Sequence, residues 1–341
     1  MTIPQSPVSP YAPPAPRHSR MVPSYDGTRL HVEEHGPEDR AGLPTVVLAH
    51  GWTCSTVFWA PVIRLLSEDH RVIAYDQRGH GASDLGLPHA YSPAGLADDL
   101  SAVLEATLAE GERAVVVGHS MGGMTLMAAA DRPEVRERTA AALLCSTGCQ
   151  NLVPRSTVLP PSVRSRAVRK AFHTLLLHSA LPLGPMSPVT KAALKYGVLS
   201  PTATPEQVEA TARVVHACPT RARSGWGHVL SRLDLSAHPE RLTAPTAVIV
   251  GTADKLTPPV HAREIAEALP NCAGLTELPG LGHMTPTEAP RTVADQAREL
   301  ARKHLAAPGA PTGRTAAGRT AADGAAADGT APRKTATEES A

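Results

Sequence analysis

The hydrophobic residues of this chain fall into short continuous runs that are separated by longer segments with helical spacing. A short continuous apolar run is typical of a strand that is buried on both faces of a sheet. Such runs occur at residues 45–49, 71–75, 114–117, 140–145, 246–250 and 275–278. Helical patterns are found at about residues 56–67, 93–109, 124–130 and 290–305. This alternation predicts an α/β fold in which helices cover both faces of a parallel sheet.

A hairpin signal precedes these runs, and a long segment interrupts them. The pair Asp26-Gly27 lies between two short β-type runs, a pattern that predicts a hairpin. Residues 150–242 contain many prolines and several helical patches but no clear buried strand. We therefore predict a core formed by residues 21–149 and 243–306, into which residues 150–242 are inserted as a helical cap.

The two ends of the chain have compositions that do not favour a packed structure. Residues 1–20 contain six prolines and no apolar run, so we predict a disordered Pro-rich N-terminus and no signal-peptide core. Residues 307–341 consist mainly of Ala, Gly, Thr, Asp and Arg, which bury too little surface to offset the entropy of ordering. We predict a disordered low-complexity tail. No stretch reaches the roughly 18–20 apolar residues that span a bilayer, so no integral membrane segment is expected.

The overall charge excludes one class of partner. Lysine and arginine together number 33 and acidic residues 32, so the formal charge is +1. Such a balance lacks the electrostatic footprint of a nucleic-acid-binding protein. We therefore expect no nucleic-acid partner.

The cysteines predict neither disulfides nor a metal site. The five cysteines are odd in number and form no CxxC pair, which, without a signal peptide, is typical of reduced thiols in a cytoplasmic protein. Cys145 and Cys149 lie close together, but no His or Cys pair accompanies them at ligand spacing. The sequence leaves the oligomeric state open.

The clearest chemical signal is the segment Gly118-His119-Ser120-Met121-Gly122, which has the pattern G-x-S-x-G. It directly follows a predicted strand and precedes a helical segment. At such a turn the serine is held in a strained conformation, and glycines two positions before and after it leave room for neighbouring backbone. We predict that Ser120 is a nucleophile at the carboxyl edge of the sheet; the alternative is a purely structural turn.

A serine hydroxyl needs a base to take its proton and a carboxylate to orient that base. Asp254 and His283 each follow a predicted strand, and parallel strands bring such positions to one edge of the sheet. The loop after the strand at 140–145 contains no carboxylate that could replace Asp254. We predict a triad of Ser120, Asp254 and His283. The alternatives are a helix cap for Asp254 and a surface-loop histidine for His283.

This chemistry also needs backbone donors for a developing oxyanion. We predict that these are the amide of Met121, at the start of a helix, and the amide of Trp52, in the loop after the strand at 45–49. Gly51 lets that loop turn closely. The Trp52 ring has a second interpretation, as an aromatic that packs in the core or against the cap. His50 is interpreted as a structural hydrogen-bonding residue rather than a second base.

These motifs are similar to those of the α/β-hydrolase superfamily, in the branch of esterases, cofactor-free haloperoxidases or perhydrolases, and epoxide-hydrolase relatives. The resemblance covers about residues 21–305, with the cap included only loosely. Its landmarks are residues 50–52, 76–83, 118–123, 251–254 and 282–283. It implies the α/β-hydrolase fold, with a mostly parallel eight-stranded sheet, helices on both faces and an inserted helical cap. It also implies structural roles for Arg78 and His80.

The same resemblance implies an enzyme. Epoxide-hydrolase and haloalkane-dehalogenase relatives carry an aspartate nucleophile, whereas this chain has Ser120. We therefore expect a hydrolase that uses no cofactor and cleaves carboxylic esters through an acyl-enzyme. The alternatives are a perhydrolase or haloperoxidase-like enzyme, a C–C bond hydrolase with the same triad, and a ligand-binding receptor on the same fold. The expected partner is a small-molecule ester or a related acyl compound.

The predicted cap carries a net positive charge that is not apparent from the net charge of the whole chain. Between Asn151 and Leu235 there are eleven basic and three acidic residues, a surplus of +8. Solvated helix faces are one explanation; the sharper hypothesis is that the cap attracts an anionic acyl substrate or lies against an anionic surface. Apolar residues of the cap are expected to line an acyl or alcohol pocket or to pack on the core, and Trp52 and Trp226 are the candidate pocket residues.

Overall fold

The sheet has eight strands and is parallel except at one edge. The computed structural model describes residues 9–305 other than 40, 41, 161 and 164. The strands are His18–Pro23 (β1), Arg29–His35 (β2), Thr45–Ala49 (β3), Arg71–Tyr75 (β4), Ala114–His119 (β5), Thr139–Cys145 (β6), Thr246–Gly251 (β7) and Cys272–Leu278 (β8). Their order is β1-β2-β4-β3-β5-β6-β7-β8. The pairs β1–β2 and β2–β4 are antiparallel, and the other neighbours are parallel, which confirms the predicted hairpin and sheet.

Helices connect most of these strands. Within the described residues they are Ala60–Leu66 (α1), Pro93–Thr107 (α2), Met121–Ala128 (α3), Pro133–Arg138 (α4), Leu152–Arg155 (α5), Arg166–His178 (α6), Pro188–Val198 (α7), Pro205–Ala217 (α8), Thr220–Leu230 (α9), Pro259–Ala268 (α10), Thr285–Glu288 (α11) and Pro290–His304 (α12). Short 3₁₀ helices lie at Thr56–Trp59, Pro88–Ala90 and Pro239–Arg241. No helix of this part of the chain is long and apolar enough to cross a membrane.

Helices cover both faces of the sheet, as predicted. Helices α1 and α12 pack against one face, and α2, α3, α4 and α10 contribute to the core on the other. Strands β3, β5, β6 and β7 are buried along their whole length. Because each of these strands is covered on both sides, most of their positions are apolar and the sequence shows a continuous run instead of an alternation.

The segment between β6 and β7 is helical. It contains α5 to α9, and its described residues add only one isolated antiparallel bridge, between Gln150 and Asp234. Helices α7 and α8 begin with capping boxes, in which the side chains of Ser187 and Thr204 accept hydrogen bonds from the amide three residues ahead. These local signals define where the two helices start. The division into a core and a separate cap stays a prediction.

The N-terminal segment corrects one prediction. Strand β1 begins at His18, and the carbonyl oxygen of Ala12 accepts hydrogen bonds from the Arg64 guanidinium at 2.8 and 3.2 Å. The prediction of disorder for residues 1–20 is therefore wrong from residue 9 onwards. Prolines exclude a helix here, but they do not prevent an extended chain from pairing at the edge of a sheet. The same prediction for the first eight residues, and that for 307–341, lie outside the described residues.

Candidate active site

Ser120 occupies the sharp turn between β5 and α3. Its backbone angles, φ 51° and ψ −114°, lie outside the regions that residues with side chains normally adopt. A Cβ on Gly118 would lie 2.5 Å from the backbone of Gly122, and one on Gly122 would overlap the carbonyl oxygen of Ala49. Close backbone packing therefore requires both motif glycines, and it holds Ser120 in this conformation.

Hydrogen bonds to the end of the neighbouring strand secure the turn. The Ser120 amide donates to the carbonyl oxygen of Cys145 at 2.9 Å. The Thr147 hydroxyl donates to the carbonyl oxygen of Ser120 at 2.7 Å. Ser120 itself is half-buried and lines a cavity that His283 also lines.

Asp254 and His283 are in direct contact. The ring Nδ1 of His283 lies 2.8 Å from Oδ2 of Asp254, and both side chains are buried. The Thr257 hydroxyl donates to the same carboxylate oxygen at 2.9 Å. The other oxygen, Oδ1, accepts the amides of Leu256 and Thr257 at 2.8 and 2.9 Å. Asp254 thus contacts the histidine and accepts amides of its own loop. It does not cap the following helix, whose N-cap is Pro258 and has no side-chain cap hydrogen bond.

The loop that carries His283 is bound to the inserted helical segment. The His283 amide donates to the carbonyl oxygen of Val198 at 2.9 Å. The Glu288 carboxylate accepts the amide of Ser200 at 2.7 Å and that of Gly282 at 3.0 Å. Burial raises the pKa of Glu288. No pattern in the sequence indicates Glu288, because its carboxylate joins two backbone segments that are far apart in the chain.

His119, the residue before Ser120, forms a hydrogen bond to the backbone of the loop that carries His283. Its Nε2 lies 3.0 Å from the carbonyl oxygen of His283, an acceptor, so Nε2 carries the proton. Burial and the neighbouring His283 ring hold the pKa of His119 well below its usual value. The ring is neutral, and we assign it a supporting role.

The two residues predicted to provide oxyanion donors lie at a helix start and in a loop at the end of a strand. Met121 is the first residue of α3, and Trp52 lies in the loop after β3. The hydrogen bonds among the described residues leave both amides without a protein acceptor. The indole Nε1 of Trp52 donates to the carbonyl oxygen of Arg223 at 3.0 Å, so the ring also packs against the inserted segment.

His50 and His80 have structural roles. His50 accepts the Gln77 amide on Nε2 at 3.0 Å, and its Nδ1 lies 2.8 Å from the carbonyl oxygen of Gly51. His80 accepts the Thr53 amide at 3.2 Å, and burial lowers its pKa to about 3. Both rings are neutral and have their nitrogens engaged by backbone, so neither is free to act as a base.

Comparison with known proteins identifies the family. The model of the alpha/beta hydrolase family matches residues 46–296, a span that includes Ser120, Asp254 and His283. The chain belongs to the alpha/beta hydrolase family. It is therefore an enzyme, a hydrolase.

Individual relatives of this hydrolase carry different names. A RutD protein of Stutzerimonas stutzeri, named as a carbamate hydrolase, is 31% identical over 71% of this chain and 85% of that protein. An EphD protein of Mycobacterium tuberculosis, named as an oxidoreductase, is 40% identical over 36% of this chain. That match spans only 20% of the mycobacterial protein. The crystal structure of a hydrolase from Pseudomonas aeruginosa superposes with a TM-score of 0.65 at 25% identity, covering 83% of this chain and 98% of that one.

The cavity of this hydrolase has a volume of about 620 Å³ and an apolar lining. Trp52 lines it, together with leucine, valine and phenylalanine side chains that come mostly from the inserted segment. The one Lys or Arg among its lining residues is Arg223, whose guanidinium donates to the backbone carbonyl oxygens of Ser179 and Leu181. Among the described residues that line the cavity, therefore, no Lys or Arg side chain is left without a protein hydrogen-bond acceptor, despite the excess of basic residues in the segment.

The prediction that Trp226 lines the pocket is wrong. Trp226 is fully buried, its Nε1 donates to the carbonyl oxygen of Arg78 at 3.0 Å, and it is absent from the described cavity lining. The Arg78 guanidinium in turn pairs with the buried carboxylate of Asp99 at 2.6 Å, a structural role as expected. Trp226 packs the inserted segment onto the core because its indole N–H finds a backbone acceptor there.

Potential metal ligands are not grouped. Within residues 9–305, apart from the four positions left out, no cluster of three or more His, Cys, Asp or Glu side chains is arranged to hold a metal ion. The five cysteines are free thiols, four of them buried.

Proposed function

We propose that this hydrolase cleaves carboxylic esters with apolar acyl or alcohol groups through an acyl-enzyme on Ser120. One observation carries the proposal. A serine in a strained strand-to-helix turn lines the same cavity as His283, whose Nδ1 is held by the buried carboxylate of Asp254. This combination is the arrangement that converts a serine hydroxyl into a nucleophile.

In the proposed mechanism, Asp254 fixes the proton of His283 on Nδ1, which leaves Nε2 as the base. Nε2 takes the Ser120 proton while the hydroxyl oxygen attacks the ester carbonyl. The amides of Trp52 and Met121 stabilise the oxyanion, and loss of one such donor costs about 3–4 kcal/mol. His283 then protonates the departing alcohol. It next activates a water molecule that attacks the acyl-enzyme and releases the acid.

The cavity lining supports esters with apolar groups. An apolar wall contributes binding free energy in proportion to the apolar surface it covers, and it opposes a charged substituent, which would lose its hydration. A free carbamic acid is small and polar and would leave most of a 620 Å³ cavity unfilled. We therefore favour larger apolar esters over the carbamate chemistry in the name of the Stutzerimonas relative.

A substrate series tests this preference. Along p-nitrophenyl acetate, butanoate and hexanoate we expect kcat/KM to rise by up to about fourfold per methylene, because each buried CH₂ contributes about 0.8 kcal/mol. The p-nitrophenyl monoester of adipic acid serves as the charged control, and we expect it to react more slowly than the hexanoate. Faster turnover of the adipate would instead support attraction of an anionic acyl group by the basic segment.

The hydroxyl of Thr257 provides a second test. In Thr257→Val the Asp254 carboxylate loses one hydrogen bond but keeps both backbone amides. We expect kcat on p-nitrophenyl hexanoate to fall roughly tenfold to hundredfold, since a hydrogen bond to a charged group is worth about 1.5–3 kcal/mol. Thr257→Ser retains the hydroxyl and should keep most of the activity. Equal losses in the two variants would argue against this role of the hydroxyl.

The alternative chemistries share the triad, so a product assay separates them. We expect ester hydrolysis to exceed peracid formation from acetate and hydrogen peroxide, cleavage of a vinylogous diketone, and hydrolysis of an N-alkyl carbamate. A larger kcat/KM for any of these would replace the ester assignment. Tight ligand binding with only a single slow turnover would favour the receptor alternative.

A further inference from the structure

Exposed apolar side chains are concentrated in one part of the inserted segment. Of the fourteen exposed large hydrophobic residues in the described chain, eight lie between Val168 and Tyr196. They include Leu175, Leu181 and Val189, which are 66%, 69% and 78% exposed. Single exposed apolar residues are ordinary on a protein surface, whereas a concentration of them marks an interaction site.

Three of these side chains belong to the wall of the catalytic cavity. Leu176 lies on α6, Leu183 on the loop that follows, and Tyr196 on α7. All three are exposed, and all three also line the cavity that contains Ser120. We call the exposed apolar residues between 168 and 196 the cavity rim. A surface that covers the rim would therefore lie directly over the opening.

The part of the sequence that contains the rim is rich in basic residues. From Asn151 to Pro205 the sequence has seven basic residues and no acidic residue. Because the whole chain carries +1, the remainder carries −6. Two of the seven form ion pairs with carboxylates from outside this stretch, Arg155 with Glu264 and Lys191 with Glu209. Five basic residues remain, so this part of the chain combines exposed apolar side chains with a net positive charge.

We propose that the cavity rim docks on an anionic lipid bilayer, with the cavity opening towards the membrane. Basic residues are attracted to anionic headgroups, and exposed Leu, Val and Tyr side chains insert into the interfacial region. A second copy of the chain is a poorer partner, because pairing two rims would bring together two segments that each carry a net positive charge. A bilayer of opposite charge is complementary to both the apolar and the basic component.

Vesicle binding tests the proposal independently of the ester chemistry. The full chain is mixed with vesicles of phosphatidylcholine alone or with added phosphatidylglycerol, and bound protein is measured by co-sedimentation. We expect at least about tenfold stronger partitioning onto the anionic vesicles, falling as salt is raised. Absence of binding, or equal binding to both vesicle types, would overturn the proposal. Either result leaves the assignment of Ser120 untouched.

A matched pair of triple variants tests the location. Leu175→Gln, Leu181→Gln and Val189→Gln together are expected to lower partitioning about tenfold or more. The control carries Val57→Gln, Leu85→Gln and Leu87→Gln, which lie outside the segment at exposed positions. We expect it to bind like the unaltered chain.

Two further measurements complete the test. Circular dichroism melting establishes that both variants are folded, and sedimentation velocity gives their oligomeric state. Equal loss of binding in the two variants would overturn the proposal. So would a dimer that dissociates only in the rim variant and does not bind vesicles, since the rim would then be a self-association surface.

Discussion

Replacing Ser120 with alanine is expected to lower kcat on p-nitrophenyl hexanoate by roughly 10⁴- to 10⁶-fold. The variant loses the atom that forms the acyl-enzyme, so the remaining backbone donors can act only on direct attack by water. The fold should be retained, because the hydrogen bonds of residue 120 to Cys145 and Thr147 involve only its backbone. Initial rates measured with enough protein to detect the residual activity check this prediction.

Labelling of the nucleophile provides the matched control. Ser156 lines the same cavity, but its hydroxyl donates to the carbonyl oxygen of Lys255 at 3.0 Å, and no base accompanies it among its described hydrogen bonds. A fluorophosphonate probe should therefore label the unaltered chain and Ser156→Ala but not Ser120→Ala. If the probe still labels Ser120→Ala, the nucleophile is elsewhere and the proposed mechanism is wrong.

The second large effect is expected for Asp254→Asn, with kcat reduced by about 10³- to 10⁴-fold. The neutral amide cannot stabilise the charged imidazolium, and it can offer its NH₂ group to Nδ1, which would place the His283 proton on the wrong nitrogen. The asparagine oxygen can still accept the amides of Leu256 and Thr257, so the local loop is preserved. The loss should therefore appear in kcat and not in thermal stability.

Asp234→Asn is the matched control for this variant. The Asp234 carboxylate also accepts the amide two residues ahead, that of Ser236 at 3.0 Å, but it is exposed and is not among the described residues that line the cavity. We expect unchanged kcat for Asp234→Asn. A loss of less than tenfold in Asp254→Asn would indicate that another group orients His283.

The strands of the central sheet could be predicted because their burial is visible in short stretches of sequence. Strands buried on both faces consist mostly of apolar residues, so β3, β5, β6 and β7 appear as runs in the sequence. The N-terminal strand was only partly predicted. Its start at His18 depends on pairing with β2, and β1 is exposed at five of its six positions, so it has no apolar run.

The inserted segment was least predictable. Its helical character follows from local capping and periodicity, whereas the destination of each side chain depends on how the helices pack. Trp52 and Trp226 illustrate the difference. Both are tryptophans at the contact between the inserted segment and the sheet residues, yet Trp52 lines the cavity, whereas Trp226 is fully buried and donates a hydrogen bond to the Arg78 carbonyl oxygen.

The sequence by itself determined the fold class, the strained turn at Ser120 and the two strand-end residues that accompany it. These features can be predicted from sequence because they depend on the small size of glycine, on the pattern of apolar residues in buried elements, and on the rule that parallel strands end at one edge of a sheet. Only the tertiary structure decided that Thr257 hydrogen-bonds to Asp254, that Glu288 joins the His283 loop to the inserted helices, and which side chains line the cavity. Such contacts join residues through packing geometry, which no short-range pattern in the chain encodes.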